Sequence, residues 1–288
     1  MTMSGCYFDY KNGLRRLRGA TQDCRRPAAV RDFGSNKMKQ PLLVGIVGLA
    51  LSVPCYVGAQ EVTLIAPGGM RCATGKMAPD FASKTGHRVK VTIGSGGGTH
   101  QRIVQGDAFD VPVVQPPYED VLSSGNVIRS SLTPLASVPI VFFVRRGDPR
   151  PDVSTPDAVK RTLLAAKSIA YPSGAAGSGA GRSFDQALKK LGIYEQLQPR
   201  IKLATGPALM ALLAKGDADI AVTFASEVTG TDVQVVGPVP RELATPTALV
   251  GFVSSHAASP QAARAVLKYL ASRDAARAYE ACGMIPSH

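Results

Sequence analysis

The chain has 288 residues, is 45% hydrophobic with a mean hydropathy of +0.05, and contains no tryptophan. That is enough apolar material for one or two cores. The formal net charge of +12 invites a nucleic-acid reading, but residues 1–59 hold nine Lys/Arg against three Asp/Glu, and the remaining 24 and 18 are scattered. No basic stripe with interleaved aromatics is left, which removes nucleic acid from the expected partners.

In chain order, residues 1–37 contain basic clusters such as "RRLR" and precede a complete export signal. They read as a gene-model extension or leader, with Met38 as the true start. Residues 38–59 read as a signal peptide: "MKQ" is the positive start and "PLLVGIVGLALSV" (41–53) the apolar run. Val57 and Ala59 are the small residues before cleavage at Gln60. An uncleaved anchor is the alternative, but a span needs roughly 20 apolar residues. Cys55 follows Pro54, a poor context for lipidation. Export implies the periplasm, where disulfides persist. Cleavage leaves Cys72 and Cys282, as one bridge or two buried thiols. Redox and zinc spacings are absent, so no metal and no cofactor is expected.

From residue 61 the pattern alternates strand and helix. "EVTLIA" (61–66) is a strand, and 70–86 a helix closed by Gly86 with Pro79 as a possible kink. "HRVKVTI" (87–93) alternates at period two. A short helix "THQRIVQG" ends at Gly106, "FDVPVVQ" (109–115) is a strand, and "PPYEDVLSSG" is a helix with proline in its first turn. "IVFFVRRGDP" (140–149) is a buried strand and turn. "STPDAVKRTLLAAK" has Ser154 or Thr155 as N-cap. "SIAYPSGAAGSGAGRSFDQALKKLG" reads as strand, glycine loop and helix. "RIKLATG", "PALMALLAKGD" and "DIAVTFA" read as strand, helix and strand. "TALVGFVSS" (247–255) is a strand, and a helical pair capped by Ser259 ends the chain. This alternation predicts an α/β fold with largely parallel sheets, in two lobes.

Two stretches share one plan of strand, glycine-rich turn and helix: "GSGGGTH" (94–100) and "PSGAAGSGAGRSF" (172–184). Ligands of α/β sheets bind beyond the carboxyl ends of the strands, where helix N-termini offer N–H groups to anions. Nucleotide fingerprints fail: the third glycine is Thr99 in one loop and Arg182 in the other, and neither ends in Gly-Lys-Ser/Thr. The nucleophile elbow G-x-S-x-G fails around Ser95 and Ser178. A secreted hydrolase using Ser95 or Ser178 with His100 stays as the less favoured enzyme reading.

The order "EVTLIAPGGM…FASKTGHRVKVTIGSGGGTHQRIVQGDAFDV", continued through "LASVPIVFFVRRGDP", "GRSFDQALKKLGI", "LLAKGDADIAVTFASE" and "SPQAARAVLKYLAS", resembles the periplasmic molybdate-binding proteins of ABC importers. The likeness spans nearly all of 61–285, closest to a divergent branch. It implies a two-lobed periplasmic-binding-protein fold: lobe one at 60–136 and 247–288, lobe two at 137–246, each a mainly parallel sheet flanked by helices. It further implies a small anionic ligand in the cleft, a membrane permease as partner, and a monomer without catalysis.

By this resemblance the ligand-binding positions are Gly69, Gly96 with Ser95 just before it, Ala180, Gly206 and Phe224; Thr99, Ser178, Arg71 and Arg182, the last two in adjoining first turns, are added as nearby candidates. Gly69 and Gly96 stand where the family places binding serines, and Phe224 where it places a tyrosine. Backbone donors are retained near Ala180 and Gly206. Each hydroxyl lost to a charged ligand costs about 1.5–3 kcal/mol. Replacement by Arg71, Arg182, His100, Thr99, Ser173 or Ser178, or a wider glycine-lined cleft for a larger ligand, are the expected compensations. The resemblance makes molybdate or tungstate the default ligand; an organic acid, another oxyanion or another small ligand is the alternative, and a ligand-sensing domain the alternative role.

Overall fold

The computed structural model describes residues 60–287. The extension and signal peptide expected at 1–59 lie outside the described residues. In order, the elements are β1 (Glu61–Pro67), α1 (Arg71–Thr85), β2 (Arg88–Gly94), α2 (Gly96–Val104), β3 (Val111–Val114) and α3 (Glu119–Ser123). There follow β4 (Thr133–Val138), β5 (Ile140–Arg145), α4 (Pro156–Ala165), β6 (Ile169–Tyr171), α5 (Gly179–Lys190) and α6 (Tyr194–Leu197). Then come β7 (Ile201–Leu203), α7 (Gly206–Ala214), β8 (Ile220–Phe224), β9 (Val233–Pro238) and β10 (Thr247–Gly251). The last are α8 (Pro260–Leu270), α9 (Arg273–Glu280) and β11 (Ile285–Pro286).

Two sheets organise the fold, each flanked by helices as an α/β chain requires. One runs β11-β4-β10-β3-β1-β2 and the other β7-β6-β8-β5-β9. Both are mixed rather than largely parallel. The pairs β1–β2, β1–β3, β6–β7 and β6–β8 are parallel, as βαβ crossovers demand. The strands that carry the chain between sheets run antiparallel to their neighbours: β4 and β10 in the first sheet, β5 and β9 in the second. The chain leaves the first sheet at Val138, enters the second at Ile140, and returns between Pro238 and Thr247. Sequence reading missed β4 and β9. Their residues, "TPLASV" and "VQVVGP", mix proline, serine and glycine with apolar residues, and pairing, not propensity, makes them strands.

Helix ends follow the sequence signals closely. Gly86 closes α1 at φ 74°, and Thr155, Ser259 and Ser272 accept first-turn N–H bonds as caps. On the second sheet, α5 is anchored by Phe184, whose ring packs edge-on against Phe142 and Tyr171 with centroids 6.0 and 4.9 Å away. On the first, α2 buries Thr99 and Ile103, the latter in a cluster with Ile65, Phe109, Val114 and Phe252. These contacts fix where each helix begins. Asp110, 5% exposed, adds a polar tie: its carboxylate accepts from Thr63 N–H, Thr63 Oγ1 and Ala258 N–H at 2.7, 2.6 and 2.7 Å. Cys72 and Cys282 form a disulfide with their Cα atoms 5.9 Å apart. It pins the C-terminal segment to the first turn of α1, and so to the loop after β1.

Candidate functional site

The first glycine stretch is less a loop than the opening of a helix, because α2 already begins at Gly96. Three glycines in a first turn weaken a helix by about 1 kcal/mol each relative to alanine. Ser95 offsets part of this as N-cap, its Oγ accepting from Gly98 N–H at 3.0 Å. Ser178 does the same for α5, accepting from Gly181 N–H at 3.2 Å. Both hydroxyls thus cap their helices as acceptors, and each keeps its O–H proton to donate.

The two glycine segments touch. Gly97 N–H donates to the Gly177 carbonyl at 2.9 Å. A Cβ on Gly97 would lie only 3.1 Å from Gly177 Cα, and Gly177 itself sits at φ +90°. Side chains on either residue would separate the backbones. Two helix N-termini therefore converge across the cleft. Among the described residues, the N–H groups of Gly96, Gly179 and Ala180 enter no hydrogen bond. Unpaired first-turn donors at the positive ends of two helices are suited to an anion.

Two side chains fill the space beside Gly69, Gly96 and Gly179. Phe224 is 2% exposed, and its ring lies 3.3 Å from where a Cβ on Gly69 would stand and 3.2 Å from one on Gly179. Gln115 is 5% exposed, with Oε1 2.5 Å from a Cβ placed on Gly96 and nearer still to one placed on Gly179. Glycine at 69 and 96 does not widen the cleft, as one sequence expectation had it. It admits the Phe224 ring and the Gln115 amide. Gln115 Oε1 is buried without a hydrogen-bond partner. Sequence reading did not single out Gln115. Its signal was present: a polar residue directly beyond the carboxyl end of an apolar strand, where α/β folds meet ligands.

The remaining expected residues are placed as follows. Thr99 is buried and turned into its own sheet, Oγ1 donating to the Ala66 carbonyl at 3.4 Å. Gly69 meets the second sheet's connection, its carbonyl accepting from Ser226 Oγ at 2.7 Å. Gly206 opens α7 at φ +52° but is exposed, and a Cβ there would meet nothing within 4 Å. Ser173 Oγ accepts from Ala176 N–H at 3.1 Å and shapes the second loop. Arg182 is half-buried in the first turn of α5, and Arg71 is exposed at the start of α1. His100 Nε2 lies 2.6 Å from Asp120 Oδ2, tying α2 to α3. That carboxylate is held below its ordinary range, chiefly by the hydrogen bond with His100. The caps occupy Ser95 and Ser178, and His100 faces an acid; no described hydrogen bond joins His100 to either serine.

One further acid borders the site. Glu227 accepts from Thr223 Oγ1 at 2.7 Å, and its Oε1 lies 2.6 Å from where a Cβ on Gly68 would stand. Burial pushes its carboxyl above the usual glutamate range, against the Thr223 hydrogen bond and the charge of Arg71. Among the described residues no group of three or more His, Cys, Asp or Glu side chains is arranged to hold a metal.

Two α/β lobes with helix N-termini facing across a cleft define a two-lobed binding protein. Residues 62–285 match the family model described as bacterial extracellular solute-binding protein, and the chain belongs to that family. It is 30% identical over 248 residues to an aconitate isomerase of a Pseudomonas species, covering 83% of this chain and 94% of that protein. It is 28% identical over 247 residues to the molybdate-binding protein ModA of Rhodobacter capsulatus, covering 82% and 93%. Among solved structures it is similar to the Azotobacter vinelandii periplasmic molybdate-binding protein, with a TM-score of 0.66, 20% identity, and coverage of 78% of this chain and all but 1% of that one. No helix among the described residues is long and apolar enough to cross a membrane.

Proposed function

We propose that this protein is the periplasmic solute-binding component of an ABC importer, capturing a small anion between its lobes and delivering it to a membrane permease. The observation that carries this reading is the convergence of the α2 and α5 N-termini, with the N–H groups of Gly96, Gly179 and Ala180 unused. Lobe one would be 60–136 with 247–288 and lobe two 137–246; the sheet changes at 138–140 and 238–247 support those bounds. Ala180, with Gly96 and Gly179, would supply backbone donors. Arg71 and Arg182 would contribute positive field from adjoining first turns. The relatives' names offer molybdate or an organic acid as ligand. Gly69, Gly96 and Phe224 carry no hydroxyl, and this favours the organic acid. Native mass spectrometry of the mature protein purified from periplasm, followed by calorimetry, tests the reading. A bound small anion supports it; micromolar molybdate binding would return molybdate as ligand, and failure to bind any small anion would sink it.

A second reading has its own support. The 30% identical relative is named as an isomerase of aconitate, and Glu227 is a buried carboxyl beside the first loop, raised in pKa and so able to carry a proton near the ligand. In that reading Glu227 moves a proton within a bound unsaturated acid. Incubation with cis- or trans-aconitate, followed by chromatography, separates the two. Turnover abolished by Glu227→Gln would establish the enzyme; absence of turnover alongside tight binding would leave the carrier.

A further inference from the structure

The geometry points to Gln115 as the residue that sets ligand specificity, by demanding an anion that still carries an O–H group. This deepens the anion-binding reading and rests on it. Gln115 lies just past β3 and is 5% exposed. Its Oε1 is wedged between Gly96 and Gly179, the first residues of α2 and α5, and has no hydrogen-bond partner. The positive ends of two helices hold the negative amide oxygen, not the amide NH2, toward themselves. A buried carbonyl oxygen without a donor costs about 1–3 kcal/mol, so a ligand that supplies a donor is favoured by the relief of that cost.

The backbone N–H groups beside it supply the complementary requirement. The N–H groups of Gly96, Gly179 and Ala180 can donate only to a negative or lone-pair-bearing group. One ligand must therefore present an anionic oxygen to the helix ends and an O–H to Gln115. A hydroxycarboxylate meets both demands, and so does a phosphate that keeps one proton. Fully deprotonated tetrahedral oxyanions present lone pairs alone, and against Oε1 they meet repulsion. Gly69, Gly96 and Phe224 offer no hydroxyl to donate to such oxyanions, and the Gln115 amide oxygen beside Gly96 presents the opposite polarity. A site built around a hydrogen bond to a ligand hydroxyl rejects the analogue lacking it, because the site's polar group is left unpaired.

Isothermal titration at pH 7 with two matched pairs tests this: malate against succinate, and phosphate against sulfate, with molybdate as a fifth probe. Each pair differs by one O–H, and the two pairs distinguish the hydroxycarboxylate from the protonated phosphate. Wild type is expected to bind the O–H member of at least one pair tenfold or more tightly. Gln115→Met, matched in length and without an acceptor oxygen, should reduce that ratio below threefold. Equal or tighter binding of succinate, sulfate or molybdate by wild type would overturn the assignment and leave the anion-binding reading standing. A preference that survives in Gln115→Met would do the same. If none of the five binds, the assignment to Gln115 fails, while the anion-binding reading is decided separately by native mass spectrometry of the protein purified from periplasm. The wild-type ratios decide the matter even where the variant does not fold.

Discussion

The backbone N–H of Gly97 donates to the carbonyl of Gly177 across the cleft, and the two residues approach so closely that a Cβ on either would crowd the other's backbone. The contact joins the first turn of α2 to the loop that precedes α5. It therefore ties the lobes together at the place where the helix ends meet.

A methyl group at this contact should act on closure rather than on folding. In Gly97→Ala the new Cβ would stand 3.1 Å from Gly177 Cα, which is backbone and cannot swing aside. The lobes must part by a few tenths of an ångström, and the anion then loses its simultaneous contacts. Affinity for the native ligand is expected to fall at least tenfold, with the melting temperature of the free protein within about 2 °C of wild type. Gly75→Ala is the control: it lies in α1, exposed, with nothing within 4 Å of the new Cβ. It should add about 0.5–1 kcal/mol of stability and leave affinity unchanged. Unaltered binding in Gly97→Ala, measured by calorimetry, would show that closure does not use this contact.

The pairing of Gly96 with Gln115 predicts a coupled pair of substitutions. Gly96→Ser restores the serine of the resembled family but places Cβ 2.5 Å from Gln115 Oε1. Overpacking of this kind costs about 1–3 kcal/mol. Gln115→Ala removes the obstacle, so the double variant should recover most of the loss. A double-mutant cycle by urea denaturation is expected to give a coupling of at least ~1 kcal/mol, whereas additivity would mean the two side chains do not share this space.

Much of the fold was legible because its signals are local. Thr155, Ser259 and Gly86 mark helix ends where the chain places them. The crossing strands were not legible, since Thr133–Val138 and Val233–Pro238 become strands only through partners distant in sequence. The site divides the same way. That two glycine segments face a cleft followed from their place after strands. That Thr99 turns inward to Ala66, that Ser95 and Ser178 are caps, and that Gln115 stands between Gly96 and Gly179 are matters of side-chain direction. A loop's composition carries no information about where its hydroxyls point. The disulfide was open for a like reason, because 210 residues separate Cys72 from Cys282.

That separation makes the disulfide a large term in stability. Closing so long a loop restricts the unfolded chain, and loss of a native bridge of this kind costs about 2–5 kcal/mol. For a protein of this size that is a fall of roughly 5–15 °C in melting temperature. Cys72→Ala with Cys282→Ala should show it in scanning calorimetry, and dithiothreitol should reproduce it in wild type. Because Cys72 sits in the first turn of α1 beside Gly68–Met70, the variant should also bind its anion more weakly. A melting temperature unchanged by both treatments would mean that the bridge does not stabilise the fold.

Glu227 predicts a pH dependence of defined sign. Burial raises its pKa in the folded state above the ordinary glutamate value of about 4.3, so the folded protein holds this proton more tightly than the unfolded chain. Ionisation then works against folding. The cost is absent below the ordinary value, grows as pH rises toward the raised one, and is complete above it. Glu227→Gln removes the titration and keeps an acceptor oxygen for Thr223 Oγ1, which now donates to the carboxylate at 2.7 Å. The variant should therefore melt above wild type at pH 7–8, and the difference should vanish as pH falls toward 4. Differential scanning calorimetry across that range decides it. A difference independent of pH would assign the effect to packing, and a wild type more stable than the variant at pH 8 would show that the ionised carboxylate is favoured by Arg71 rather than penalised by burial.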